Sequence, residues 1–189
     1  TINAASRRLD ALGALAYAST LRGIDPRRVA IVGWSHGGSS TLAAINAENA
    51  QVAALRAAPD APPFFRAAVA FYPGCVAALR GGPRWRPAAT TAIHIGALDD
   101  WTPAEPCVAL GEAMRTAGMP LTVRVYPDSY HGFDGPTGRV TVLHDVPNGV
   151  NPGQGVTNGP NPAARVSAME SVRAFLAAQP ASPAAPGAA

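Results

Sequence analysis

The stretch Val29-Ala30-Ile31-Val32-Gly33-Trp34-Ser35-His36-Gly37-Gly38 constrains this chain more than any other. An apolar run of strand type feeds a Gly-x-Ser-x-Gly pentapeptide, and a small-residue helical pattern follows. In that context the pentapeptide reads as a sharp strand-to-helix turn that strains its central residue. Side chains two positions either side of Ser35 would collide in such a turn, which accounts for Gly33 and Gly37. The turn lifts Ser35 Oγ clear of a sheet and aims the first helical N–H groups at whatever the oxygen attacks. The rival glycine motif is a phosphate loop. Residues 33–40 carry its glycine spacing, but Ser39 stands where that motif needs lysine.

A chain of 189 residues suits one domain with a sizeable core. With 48% hydrophobic and 14% charged residues, most of it is expected to be globular. No apolar run approaches the roughly eighteen residues of a membrane span. All 15 basic residues are arginine, so a lysine Schiff base is excluded. The arginines are scattered, paired only at Arg7-Arg8 and Arg27-Arg28, and read as solvated surface rather than a nucleic-acid footprint.

Strands alternate with helices along the chain. Residues 3–21 form an amphipathic helix pattern with Leu9, Leu12 and Leu15 or Ala16 at helical spacing, and Gly23 can close it. Strands are expected at 28–32, 65–72, 91–95 and 121–126, with the elbow helix over about 37–47. Thr102, Pro103 and Glu105 read as a capping box for a helix whose buried face is Cys107, Leu110, Met114 and Ala117. Residues 132–160, rich in Gly, Pro and Asn, form a long surface excursion in which 140–143 can pair locally. Asn161-Pro162 caps a last helix with Val166, Met169, Val172 and Phe175 or Leu176 on one face. The alternation implies an α/β fold, a mostly parallel sheet with helices on both faces. Residues 1–178 make one domain, and the Pro/Ala-rich 179–189 a disordered tail.

A serine hydroxyl needs a base, usually histidine, and an acid to orient it. Of four histidines, His36 points away around the turn, His94 lies within a strand and reads as a core residue, and His144 lies in the excursion. His131 follows the fourth strand by a short loop. In a parallel sheet that loop emerges on the same edge as Ser35. Asp99 and Asp100 follow the third strand onto that edge, and either could partner His131; Asp128 is a third, less well placed candidate.

Four segments carry a family resemblance: Gly33-Trp34-Ser35-His36-Gly37-Gly38, Phe71-Tyr72-Pro73-Gly74-Cys75, the acid loop from Gly96 to Pro103, and Tyr130-His131-Gly132-Phe133. In these the chain resembles the dienelactone hydrolase family of α/β-hydrolases, over most of 9–176. The family pattern around the acid fits Gly96, Asp99, Thr102 and Pro103, which selects Asp99 over Asp100. The resemblance implies a triad of Ser35, Asp99 and His131 acting on a small-molecule ester or lactone, with the backbone N–H of His36 as one oxyanion donor. No metal or organic cofactor is implied; the scattered arginines and the lack of a long apolar run imply no nucleic-acid and no membrane partner. Two departures stand out. The best-known members carry cysteine where this chain has Ser35, and the family's first strands, with the second oxyanion donor, are expected to precede Thr1.

Trp34, Tyr72, Trp101, Tyr130 and Phe133 border the expected edge and could line an apolar acyl pocket. Cys75 and Cys107 fall after neighbouring strands. They form either a disulfide, implying an oxidising (secreted or periplasmic) location, or two buried thiols. A peptidase or acyltransferase on the same fold, with 132–160 as its only candidate cap, and a non-catalytic binding module are the alternative functions.

Overall fold

The computed structural model describes residues 3–180. The first two residues, and the expected tail from 181 onward, lie outside the described residues. Four strands, β1 (Ala30–Trp34), β2 (Ala67–Phe71), β3 (Thr90–Gly96) and β4 (Leu121–Tyr126), pair in parallel in the order β1-β2-β3-β4. The register runs Gly33 beside Ala70, Ala70 beside Ile93 and Ile93 beside Val123. Every residue of β2, and all of β3 after Thr90, is buried. Alternate residues face opposite sides of a strand, so both faces of the sheet are covered there.

The covering helices are α1 (Ala4–Ala18), α2 (His36–Ala44), α3 (Ala50–Ala57), α4 (Val76–Gly81), α5 (Ala104–Thr116) and α6 (Pro162–Ala177). Helix α2 packs on β1 and β2, α5 on β3 and β4, and α6 on β3. One continuous core joins Leu12 and Leu15 of α1, Phe71, Ile93, Ile95, Leu110 and Phe133. Each such side chain contributes about 1.5–3 kcal/mol when fully buried. Two short strands, β5 (Thr141–Leu143) and β6 (Val156–Asn158), pair antiparallel within the 132–160 excursion. No helix among the described residues is long and apolar enough to cross a membrane.

Several local expectations need correction. Helices α3 and α4 were not anticipated: both are short, of eight and six residues, and Ala-rich. Leu9 is exposed, so α1 seats only Leu12 and Leu15. Val166 is exposed and Ala117 lies past the end of α5 at the surface. The fully buried positions of α6 are the small Ala164 and Ala168, which let the helix sit close to the sheet, with Met169 and Val172 partly buried around them. Asn161 does cap α6, its side chain accepting from the Ala164 amide. Helix α5 starts one residue later than expected, with Pro103 rather than Thr102 at its N-cap and no side-chain cap, while the Thr102 hydroxyl lies against Asp99 and the Tyr72 carbonyl.

Candidate active site

The turn after β1 holds Ser35 at φ 52°, a backbone region rare for a residue with a side chain. It is set by close approach. A Cβ on Gly33 would lie 2.3 Å from the Gly37 carbonyl oxygen, and one on Gly38 would lie 2.9 Å from that of Phe71. A Cβ on Gly37 meets nothing within 4 Å outside its own helix. The expectation of a steric need at Gly37 is therefore corrected: the crowded pair is Gly33 and Gly38. The Ser35 amide donates to the Phe71 carbonyl at 2.9 Å, which ties the turn to the end of β2. His36 opens α2 with an exposed side chain, and its amide belongs to the first turn, where no helical acceptor exists.

The ends of β1, β3 and β4 bring three expected residues together. His131 Nε2 lies 2.8 Å from Ser35 Oγ, and His131 Nδ1 lies 2.9 Å from Asp99 Oδ2. His131 and Asp99 are buried, at 3% and 5% exposure, while Ser35 is half-buried. This is the geometry in which an imidazole can take a hydroxyl proton while a carboxylate holds its tautomer.

Asp99 is over-determined. Its Oδ1 accepts from the amides of Trp101 at 3.0 Å and Thr102 at 2.8 Å. Thr102 Oγ1 lies 3.0 Å from Asp99 Oδ2, 2.9 Å from the Tyr72 carbonyl and 3.1 Å from His131 Nδ1. Its one proton serves one acceptor at a time, and its lone pairs can take a share of the His131 proton. The acid and histidine loops also touch directly. The Ala97 and Leu98 amides donate to the carbonyls of Tyr126 and Ser129, and a Cβ on Gly96 would sit 2.2 Å from the Ser129 oxygen.

The other acids have separate work. Asp100 turns away and accepts from the Thr157 amide at 2.7 Å and hydroxyl at 2.8 Å, strapping β6 to the acid loop. Asp128 is exposed in a turn at φ 51°. His144 is exposed. His94 is in the core as expected but only half satisfied. Its Nδ1 lies 2.7 Å from the Tyr126 hydroxyl and its Nε2 has no partner. Burial, then the Arg124 charge, push its pKa down to about 4 against a smaller opposing pull from Asp134.

The aromatic residues divide into rim and interior. Trp34 is 46% exposed and stacks on Phe71. Trp101 is half-buried, its ring 4.8 Å from that of His131 and its indole N–H donating to the Pro147 carbonyl. Tyr130 is half-buried as well. Tyr72 is buried with its ring 4.5 Å from His131. Phe133, expected at the rim, is fully buried behind Tyr72 and packs on Tyr126 and Phe71. Cys75 and Cys107 form a disulfide that joins the start of α4 to α5. Sequence reasoning missed Asp134, whose carboxylate accepts from the Trp34 indole N–H at 2.8 Å and the Tyr72 hydroxyl at 2.7 Å. Its position three residues after His131 was the one available signal.

A parallel sheet covered on both faces, with a strained serine turn on its carboxyl edge, is the architecture of the α/β-hydrolases. The model of the dienelactone hydrolase family matches residues 3–178, and the chain belongs to that family. No curated protein matches it. Among solved structures it is similar to the dienelactone hydrolase-like promiscuous phosphotriesterase P91 from metagenomic libraries, at 18% identity and TM-score 0.63, over 92% of this chain and 61% of that one. It is also similar to esterase 2 of Thermogutta terrifontis, solved phosphoramylated by tabun, at 17% identity and TM-score 0.60, over 94% of this chain and 66% of that one. A third similarity, to dipeptidyl peptidase 4 of Porphyromonas gingivalis, has 17% identity and TM-score 0.60, over 94% of this chain and 23% of that one. The chain thus spans less than two thirds of the length of each.

Proposed function

We propose that this chain carries the catalytic triad of a serine hydrolase that cleaves carboxylic esters or lactones by acyl transfer to water. The observation that carries this reading is the Ser35–His131–Asp99 relay, with contacts of 2.8 and 2.9 Å. Ser35 Oγ attacks the carbonyl carbon while His131 Nε2 takes its proton. The oxyanion is received by the His36 amide at the start of α2. His131 then returns the proton to the leaving alcohol, which frees the acyl-enzyme. Water, deprotonated by the same nitrogen, hydrolyses it. Asp99 holds the imidazole and stabilises its cation. Family membership and the esterase among the similar structures support hydrolysis as the reaction class. Trp34 and Trp101 at the rim favour an apolar acyl group. The disulfide favours an oxidising compartment.

Ser35→Ala is expected to cut turnover of a short-chain nitrophenyl ester by on the order of 10⁴-fold or more. The same change should abolish labelling by a fluorophosphonate probe. Unchanged turnover in Ser35→Ala would overturn the assignment. Labelling without ester turnover would favour the peptidase or acyltransferase alternative.

A further inference from the structure

We propose that Asp134 is a positioning residue for this site, a buried clamp that sets Trp34 and the Tyr72 ring and, through Tyr72, the His131 imidazole. The proposal rests on the triad reading above. Asp134 is 8% exposed and forms no ion pair among the described residues. Both of its carboxylate oxygens are engaged by neutral donors, the Trp34 indole and the Tyr72 hydroxyl. The carboxylate's use therefore lies in the two groups it holds.

It holds two donors with strategic addresses. Trp34, whose indole N–H lies 2.8 Å from Oδ2, directly precedes Ser35. Tyr72, whose hydroxyl lies 2.7 Å from Oδ1, directly follows Phe71, the residue that receives the Ser35 amide. The nucleophile turn is therefore suspended between the two residues that Asp134 grips. Tyr72 sits at φ 37°, a strained region for a bulky residue, and persists only because its surroundings over-determine it. Its amide donates to His94, its carbonyl accepts from Thr102, and its hydroxyl is fixed by Asp134. Burial, followed by the hydrogen bond to Asp134, holds the phenol far above its ordinary pKa, so it stays a donor. The ring so fixed lies 4.5 Å from His131. Since Asp134 and His131 share one loop, a closed circuit results: loop backbone, carboxylate, phenol ring, imidazole. Arg165 donates to the Asp134 carbonyl and anchors that loop to α6.

The test combines kinetics with NMR on Asp134→Ala, Asp134→Asn, Tyr72→Phe and Trp34→Phe. Asp134→Ala should lower kcat about 10- to 100-fold, with a smaller change in KM, as expected of a displaced catalytic group. Tyr72→Phe should lose less in the same direction, and adding it to Asp134→Ala should cost nothing more, because both act through one contact. The Trp34 indole N–H resonance, assigned by Trp34→Phe, should move upfield in Asp134→Ala, and the His131 ring resonance should move with it. If both resonances stay in place, or kcat stays within twofold of wild type in the folded Asp134→Ala protein, the proposal is wrong. Should Asp134→Ala fail to fold, the decision passes to Asp134→Asn and Tyr72→Phe, in which unchanged kcat overturns it. Failure of the triad reading looks different: wild-type protein would neither turn over ester nor label at Ser35, while the two resonances would still respond to the loss of Asp134.

Discussion

The serine turn and the histidine loop meet at the Ser35–His131 and Trp34–Asp134 hydrogen bonds, yet their shapes have different main causes. The turn is shaped by exclusion. Gly33 and Gly38 leave no room for a Cβ, and the Ser35 backbone is forced into its strained conformation within a few residues. The histidine loop is shaped by attachment. Asp134 grips Trp34 and Tyr72, Asn161 reaches the Asp128 carbonyl and Ser129 hydroxyl, and the Gly159 amide donates to the His131 carbonyl. Exclusion adds most to the first, and side-chain attachments add most to the second. The first arrangement is brittle to added volume, the second to lost donors and acceptors.

The largest effect should come from adding one methyl group to the turn. Gly33→Ala sets a Cβ against backbone that cannot move aside, and should destabilise by about 4 kcal/mol or more. Gly37→Ala, where space is open, should be neutral or stabilise by up to about 1 kcal/mol through helix propensity. Urea denaturation of the pair decides whether exclusion is the mechanism: equal stability would break the contrast. Next comes the covalent tie. Replacing Cys75 and Cys107 together by alanine frees a loop with sequence separation 32 and should cost about 3–4 kcal/mol, read from the same denaturation curves.

The floor shared by both regions gives the third prediction. His94 accepts the Tyr72 amide and is buried with a pKa lowered from 6.5 to about 4. The unfolded chain therefore binds a proton that the folded one refuses between those values. This contribution is complete above pH 6.5 and is lost as pH falls toward 4, by up to about 3 kcal/mol. In His94→Phe the acid slope over that window should flatten; an unchanged slope would assign it elsewhere. The smallest effect is expected at the strap. Thr157→Val removes the hydroxyl contact to Asp100 and should cost about 1 kcal/mol. Hydrogen exchange of the residue-157 amide, and of the Val150 amide that donates to the Asp100 carbonyl, should speed up while that of β2 does not.

What could be read from the sequence follows the same division. The serine turn was legible because its cause is local: glycines, an apolar run and a helix pattern within ten residues. The order of Ser35, Asp99 and His131 was legible because a parallel sheet delivers all its strand ends to one edge. The clamp from Asp134 to Trp34 joins residues 100 apart, and the strap from Asp100 to Thr157 joins residues 57 apart. No local pattern signals such partners. Thr102 illustrates the conflict directly. Its spacing to Glu105 suits a capping box, yet the hydroxyl is spent on Asp99 and Tyr72, and α5 begins uncapped. Gly96 was legible only as a strand end, whereas its lack of a side chain lets the histidine loop cross against it.

The parallel order β1-β2-β3-β4 has a consequence in time as well as in space. Parallel neighbours cannot pair through a tight turn, so every pairing in this sheet must wait for a chain-spanning search. Ser35 and His131 stand 96 residues apart, at the two ends of that search. In the folded sheet β2 and β3 lie between the strands that carry them. If the Ser35–His131 contact forms late, a refolding experiment should see the sheet's dichroism return before Ser35 can be labelled.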